Sequence, residues 1–217
     1  MAFLKAVLVG KAQDYGSYTS AIFKVAQSDE IYANKLGFIG DEVADAIHHG
    51  GEQKAIFANS YQNYPRWEEF LSLKNLPFGA MGENLTIDGL DENSVCVGDI
   101  HKVGSLIIQV SQPRKPCSKL SKRWNNANMS GEIFKTGLSG WYYRVLEEGS
   151  CKAGDEVKIL QKDSVGLSVM QLNQLFFAPN ENLDILDKLL CIDTLAGNWV
   201  DDIKKRIGGS YDASYMN

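Results

Sequence analysis

Apolar spacing changes once along this chain, near residue 165, and that change limits the folds open to it. Before it, short runs alternate apolar and polar side chains with a period of two, the mark of half-buried strands. After it, the spacing lengthens to the 3.6-residue period of amphipathic helices. Strands are predicted over 3–10 (FLKAVLVG), 21–27 (AIFKVAQ), 55–59 (AIFAN), 84–89 (NLTIDG), 99–104 (DIHKVG), 105–110 (SLIIQV), 141–148 (WYYRVLEE) and 156–162 (EVKILQK). The chain has 20 glycines, and most fall between these runs, where they suit the tight corners of a small closed barrel. Two corners echo each other, GDIHKV at 98–103 and GDEVKI at 154–159; each opens on a Gly-Asp turn pair and runs into a strand. A helix over 60–72, capped by Asn59 or Ser60, and another over 129–137 interrupt the strands.

Beyond residue 163, Ser168 with Gln171 three positions on forms a capping box for a helix over 168–178. Leucines at 183, 186, 189 and 190 stripe a second helix over 181–191. Trp199, Val200, Ile203 and Ile207 stripe a third over 195–207. These stripes read as core. The expected organisation is a mainly β, closed barrel over 1–163 with peripheral helices, a three-helix unit over 164–210 and a flexible tail at 211–217.

At 217 residues the chain is long enough to bury a substantial core, one domain of moderate size plus an appendage. A net charge of −5 argues against a nucleic-acid polymer as partner, because such binding relies on cationic surface. No apolar run approaches a membrane span of about 20 residues, and AVLVG after Lys5 is too short for a signal core. The four cysteines, at 96, 117, 151 and 191, are widely spaced with no C-x-x-C, so no zinc ribbon or thioredoxin-type motif is expected. Reduced thiols in the cytoplasm are the expectation.

Three segments carry residue types suited to chemistry. In VSQPRKPCSKL (110–120), Leu106, Ile108 and Val110 face one way along a strand that the prolines end near Gln112, and Ser118 caps a following helix. Cys117 then sits at a strand-to-helix turn, where positive backbone potential favours a thiolate. Arg114, Lys115, Lys119, Lys122 and Arg123 surround it without an acid in an acidic protein. Such an island attracts anions. From the residues alone, Cys117 reads equally as an activated thiolate or as a buried, inert thiol beside a solvated basic helix face. In GDEVADAIHHGGEQKAI (40–56), His48 and His49 precede a Gly-Gly pair; adjacent residues on extended chain point oppositely, so at most one faces a site. The bland alternative is a turn histidine satisfied by backbone. In GENLTIDGLDENSVCVGD (82–99), Asn84 and Thr86 lie two apart on one strand face, as neutral groups able to orient a polar ligand or simply to meet solvent. There is no P-loop, G-x-G-x-x-G, H-E-x-x-H or G-x-S-x-G.

Taken in order, GDEVADAIHHGGEQKAI, GENLTIDGLDENSVCVGD, QVSQPRKPC and GWYYRVLEEG…AGDEV resemble a MOSC domain, the family named for the C-terminal domain of molybdenum cofactor sulfurase. SVMQLNQLFF onward is similar to the three-helix extension of its YiiM-like branch. The resemblance implies a barrel-like fold and binding of the molybdenum cofactor, a molybdopterin, with Cys117 at the motif position of the molybdenum-ligating thiolate. It implies reduction of N-hydroxylated compounds, such as hydroxylaminopurines and hydroxylamines, to amines. The electrons would come from an external donor protein, since no flavin, haem or iron–sulfur motif is present. His49 aligns with the family's single histidine, as proton donor or pocket organiser, and His48 is an extra residue. Arg114, Lys115 and Lys54 fall to phosphate or pterin contacts, with Asn84 and Thr86 beside them. Two other classes fit the same residues: a carrier that holds the cofactor, or sulfur on Cys117, without turnover, and a Cys117–His49 nucleophilic enzyme.

Overall fold

A computed structural model of the chain describes residues 1–45, 49–197 and 199–214. Seven strands form a ring: β1 (Ala2–Val9), β2 (Ile56–Ser60), β3 (Leu85–Asp88), β4 (Ile100–Val103), β5 (Leu106–Pro113), β6 (Trp141–Glu147) and β7 (Glu156–Gln161). Their order around the wall is β7-β4-β5-β6-β2-β3-β1, and β1 closes the ring on β7 through Ala2 opposite Val157. Six of the seven pairings are antiparallel; β2 and β3 run parallel, Ala58 opposite Leu85. A closed ring of seven cannot alternate direction at every step, so at least one parallel neighbour is a topological necessity. The parallel pair costs a long crossover, residues 61–84, which holds a 3₁₀ turn and helix α1 (Tyr64–Leu71).

Alternation sorts the side chains. Leu106, Ile108 and Val110 of β5 are fully buried inside the barrel with Leu4, Ile56, Leu85, Ile87, Trp141 and Tyr143. Outside the wall, Phe57 and Tyr142 pack under α1, α2 (Ser118–Trp124) and α3 (Met129–Thr136) in a second cluster with Trp67, Met81, Leu120 and Ile133. A third cluster lies under α4 (Val169–Phe177), α5 (Leu186–Cys191) and α6 (Trp199–Ile207), built on Leu172, Phe176, Leu189, Trp199 and Ile203. Ser168 and Gln171 close the expected capping box. Among the described residues no helix is long and apolar enough to cross a membrane.

The closed barrel matches the sequence expectation, and so do the paired corners. Gly98 and Gly154 both adopt positive φ, 89° and 91°. Asp99 turns inward, where its carboxylate accepts from the Cys96 and Asp163 N–H groups and from Lys162. Several details differ. Of the run 21–27, only Val25–Ala26 pairs, against the end of β1, because Ser20, Ala21, Ile22 and Lys24 instead wall a cavity. Strand β5 continues to Pro113, opposite Trp141, since a strand's last residue need not donate. The cap of α2 is Cys117 rather than Ser118: its carbonyl already accepts from the Leu120 N–H, so the first turn starts one residue earlier. Short strands at Ile31–Asn34, Gly37–Phe38 and Gly149–Cys151, outside the predicted runs, form a small side sheet.

Candidate functional site

The end of β5, the turn at 114–117 and the outer face of β6 enclose a cavity of about 100 Å³. Cys117 lines it with 7% of its surface exposed. The Arg114 guanidinium is buried beside it, its Nη2 donating to Cys117 Sγ at 3.6 Å, and stacks over the Phe57 ring at 5.0 Å. Arg114 Nη1 is buried and has no hydrogen-bond partner among the described residues. A buried guanidinium that leaves donors unused is costly unless an acceptor arrives.

His49 and Tyr142 complete this wall. The His49 N–H donates to the Asp45 carbonyl, and Nδ1 lies 3.5 Å from the Tyr142 hydroxyl. Burial, then the charges of Arg114, Lys54 and Lys119, push the His49 imidazole down to about 3, so it is neutral at ordinary pH. That makes it a poor source of a proton and a good fixed hydrogen-bonding group. Burial pushes the Tyr142 hydroxyl up to about 12, with Arg114 opposing the shift. Lys54, from the 3₁₀ turn Glu52–Lys54, also lines the cavity; burial and the nearby Lys115 hold its ammonium below the usual lysine range.

The far side of the cavity is a polar clasp. Asp41 accepts from Gly10 N–H at 2.7 Å, Lys24 Nζ at 2.5 Å and Asn84 Nδ2 at 2.8 Å. Asn84 also donates to the Leu8 carbonyl and accepts from the Phe57 N–H. It lines the cavity, but its amide is spent tying β1, β2 and the Asp41 loop together. Thr86 lies outside the cavity lining: its hydroxyl donates to Glu83, a fully buried carboxylate that also takes the Tyr64 hydroxyl and the Gly79 and Met81 N–H groups.

A second cavity of about 570 Å³ adjoins the first and shares His49, Lys54 and Tyr142 with it. Its other walls include Gln112, Lys115 and, from α6, Trp199, Asp202 and Lys205. Lys115 belongs here, not with Cys117: its ammonium pairs with Asp202 at 2.5 Å and lies over the Trp199 and Phe176 rings at 4.7 and 4.9 Å. Neighbours on extended chain face opposite ways, so Arg114 points in and Lys115 out. His48 lies outside the described residues. Sequence reasoning missed Tyr142, Phe57, Lys24 and Asp41. The available signal was the double tyrosine of β6, whose two rings must take opposite faces.

These residues suit an anionic ligand that carries its own metal. Among the described residues no three histidines, cysteines or acids cluster to cage a bare ion. One soft sulfur is offered instead, with a guanidinium whose Nη1 has no acceptor among the described residues and the ammonium groups of Lys54 and Lys119 around the same cavity.

Comparison with known proteins bears on this arrangement. A family model of the MOSC domain matches residues 45–158. YflK of Bacillus subtilis is 36% identical over 187 residues, spanning 86% of this chain and 84% of its own. A protein named "Reductase" from Gibberella moniliformis is 33% identical over 79% of this chain, which matches only 31% of that longer protein. The crystal structure of YiiM from Geobacillus stearothermophilus superposes with a TM-score of 0.80 at 30% identity, covering 95% of this chain and all of that one.

Proposed function

This chain belongs to the MOSC domain family, a molybdenum-cofactor-related family, and on that premise we propose that it binds the molybdenum cofactor through Cys117 and reduces N-hydroxylated compounds to amines. The observation that supports the reading most is the Cys117–Arg114 pair: a thiol lining a cavity, 3.6 Å from a buried guanidinium whose Nη1 lacks an acceptor among the described residues. The name and the match of the Gibberella protein favour a reductive rather than a carrier role.

Cys117 supplies one soft metal ligand, and Arg114, Lys54 and Lys119 hold the cofactor's anionic groups. When bound, the cofactor supplies the two-electron chemistry that breaks the N–O bond. The overall change is R–NHOH + 2 e⁻ + 2 H⁺ → R–NH₂ + H₂O, and the electrons come from an external donor protein. Neutral His49 holds the Tyr142 hydroxyl and offers a fixed hydrogen bond at the cavity wall, and Phe57 keeps the guanidinium flat against the barrel. The substrate approaches through the larger cavity, which meets the smaller one at His49, Lys54 and Tyr142.

The test is protein made in cells that make the cofactor, assayed for bound molybdenum and for reduction of 6-hydroxylaminopurine with a chemical reductant. Wild type should carry metal and turn over. Cys117→Ser should fold, lose the metal and lose turnover, whereas single alanines at Cys96, Cys151 and Cys191 keep both. Metal without turnover in wild type would favour the carrier instead. Stoichiometric metal in folded Cys117→Ser would sink the ligand assignment.

A further inference from the structure

We propose that Asp202 of α6, acting through Lys115, is a positioning residue that fixes the turn carrying Cys117. The inference rests on the reading of Cys117 as the ligand, and it gives the C-terminal helices a task at the Cys117 cavity, whose lining holds none of their residues. Three links tie them to the strand end that leads into this turn. The Ala196 N–H donates to the Ser111 carbonyl at 3.0 Å, and Trp199 Nε1 donates to Gln112 Oε1 at 2.9 Å. Lys115 Nζ then donates to Asp202 Oδ2 at 2.5 Å. The links fall on residues 111, 112 and 115, advancing along the chain toward Cys117.

The backbone between the last link and the thiol is stiff. Pro113 and Pro116 flank the segment with fixed φ. Only Cys117 follows Pro116 before α2 begins. A shift of the Lys115 backbone is therefore passed to Cys117 across a single proline. The Lys115 ammonium is held where it is by Asp202 and is mostly buried, over the Phe176 and Trp199 rings. Without the carboxylate, a cation in that position is poorly compensated and moves toward water. The same movement shifts the turn on which Arg114 meets Sγ.

The experiment uses the full chain, first free of cofactor. Iodoacetamide alkylation of Cys117 is timed against alkylation of Cys191, an exposed thiol that serves as internal reference. Asp202→Asn should change the Cys117 rate by about fivefold, the scale of coupling across one contact, and leave the Cys191 rate alone. Asp202→Glu, which keeps the charge, should restore most of the wild-type rate. In protein made with cofactor, molybdenum occupancy should fall in Asp202→Asn and return in Asp202→Glu. A folded Asp202→Asn protein with unchanged Cys117 alkylation overturns the inference, as does equal loss in both variants, which would indicate general damage to α6. Should Cys117→Ser retain molybdenum, the ligand reading fails, and the proposal fails with it as a statement about the site. The alkylation rates would then still show whether Asp202 holds the turn.

Discussion

Tyr142 and Tyr143 stand side by side on β6, and each meets a histidine. Tyr143 points into the barrel, where its hydroxyl lies 2.8 Å from His101 Nδ1 and both residues are fully buried. Tyr142 points outward, 3.5 Å from His49 Nδ1, in a cavity shared with Arg114 and Cys117. Both imidazoles are neutral, for different reasons. Burial, with a smaller push from Lys162, outweighs the nearby Asp99 charge and takes His101 down to about 4. For His49, three cations add to burial and push it to about 3. The inner pair is short and sealed, part of what holds the wall. The outer pair is loose and faces the charges of Arg114, Lys54 and Lys119. The same two residue types thus serve the core on one face of a strand and line the candidate site on the other.

The comparison can be broken from its inner side first. His101→Ala should destabilise the fold by about 3 kcal/mol, combining a cavity with a stranded Tyr143 hydroxyl, as read by urea unfolding. Cofactor occupancy per folded molecule should not change. Acid attacks the same pair. Between pH 6.5 and about 4 the unfolded chain binds a proton at residue 101 that the folded protein refuses. Stability is therefore full above pH 6.5, falls as pH drops, and levels off once the folded imidazole protonates, a loss of roughly 3 kcal/mol at most. His49, pushed down to about 3, adds a loss of its own over the same range. Unfolding measured from pH 7 to 4 should lose part of this slope in His101→Phe; an unchanged slope would assign the acid sensitivity elsewhere.

The outer side responds differently. Arg114→Ala should lower cofactor occupancy about tenfold at matched ionic strength, and Arg114→Glu further, since repulsion joins the lost contact. Equal occupancy in all three proteins would remove Arg114 from the site. The smallest expected change is in the stability of His49→Ala, within about 0.5 kcal/mol of wild type, while turnover falls. A large stability loss there would erase the distinction between the two pairs.

Much of the barrel was legible because half-buried strands announce themselves by alternation, and Gly-Asp corners and the Ser168–Gln171 box are local devices. Pairing order was not: the β2–β3 neighbour and the β1–β7 closure join residues far apart in sequence, and no local pattern encodes them. The short strands at Ile31–Asn34 and Gly149–Cys151 hold too few residues to show a period. At the site, His49, Arg114 and Cys117 stood in motif segments with unusual composition, and the structure gathers them around one cavity with Lys54 and Asn84. Lys115 and Thr86 looked equivalent in the sequence, but side-chain direction parts them from the rest. Phe57, Tyr142 and Asp41 read as ordinary core and turn residues, because what distinguishes them is the neighbour that folding brings.

The ring closure has a kinetic consequence. β1, at the start of the chain, pairs with β3 and with β7, so its Ala2 waits for Val157 before the wall is complete. Contacts of such sequence separation must lose loop entropy before they return any energy, which places refolding in the slow, millisecond-to-second range of high-contact-order domains. During synthesis the first strand emerges long before its last partner. Until residue 157 arrives, one edge of β1 stays open, a template for pairing with another chain.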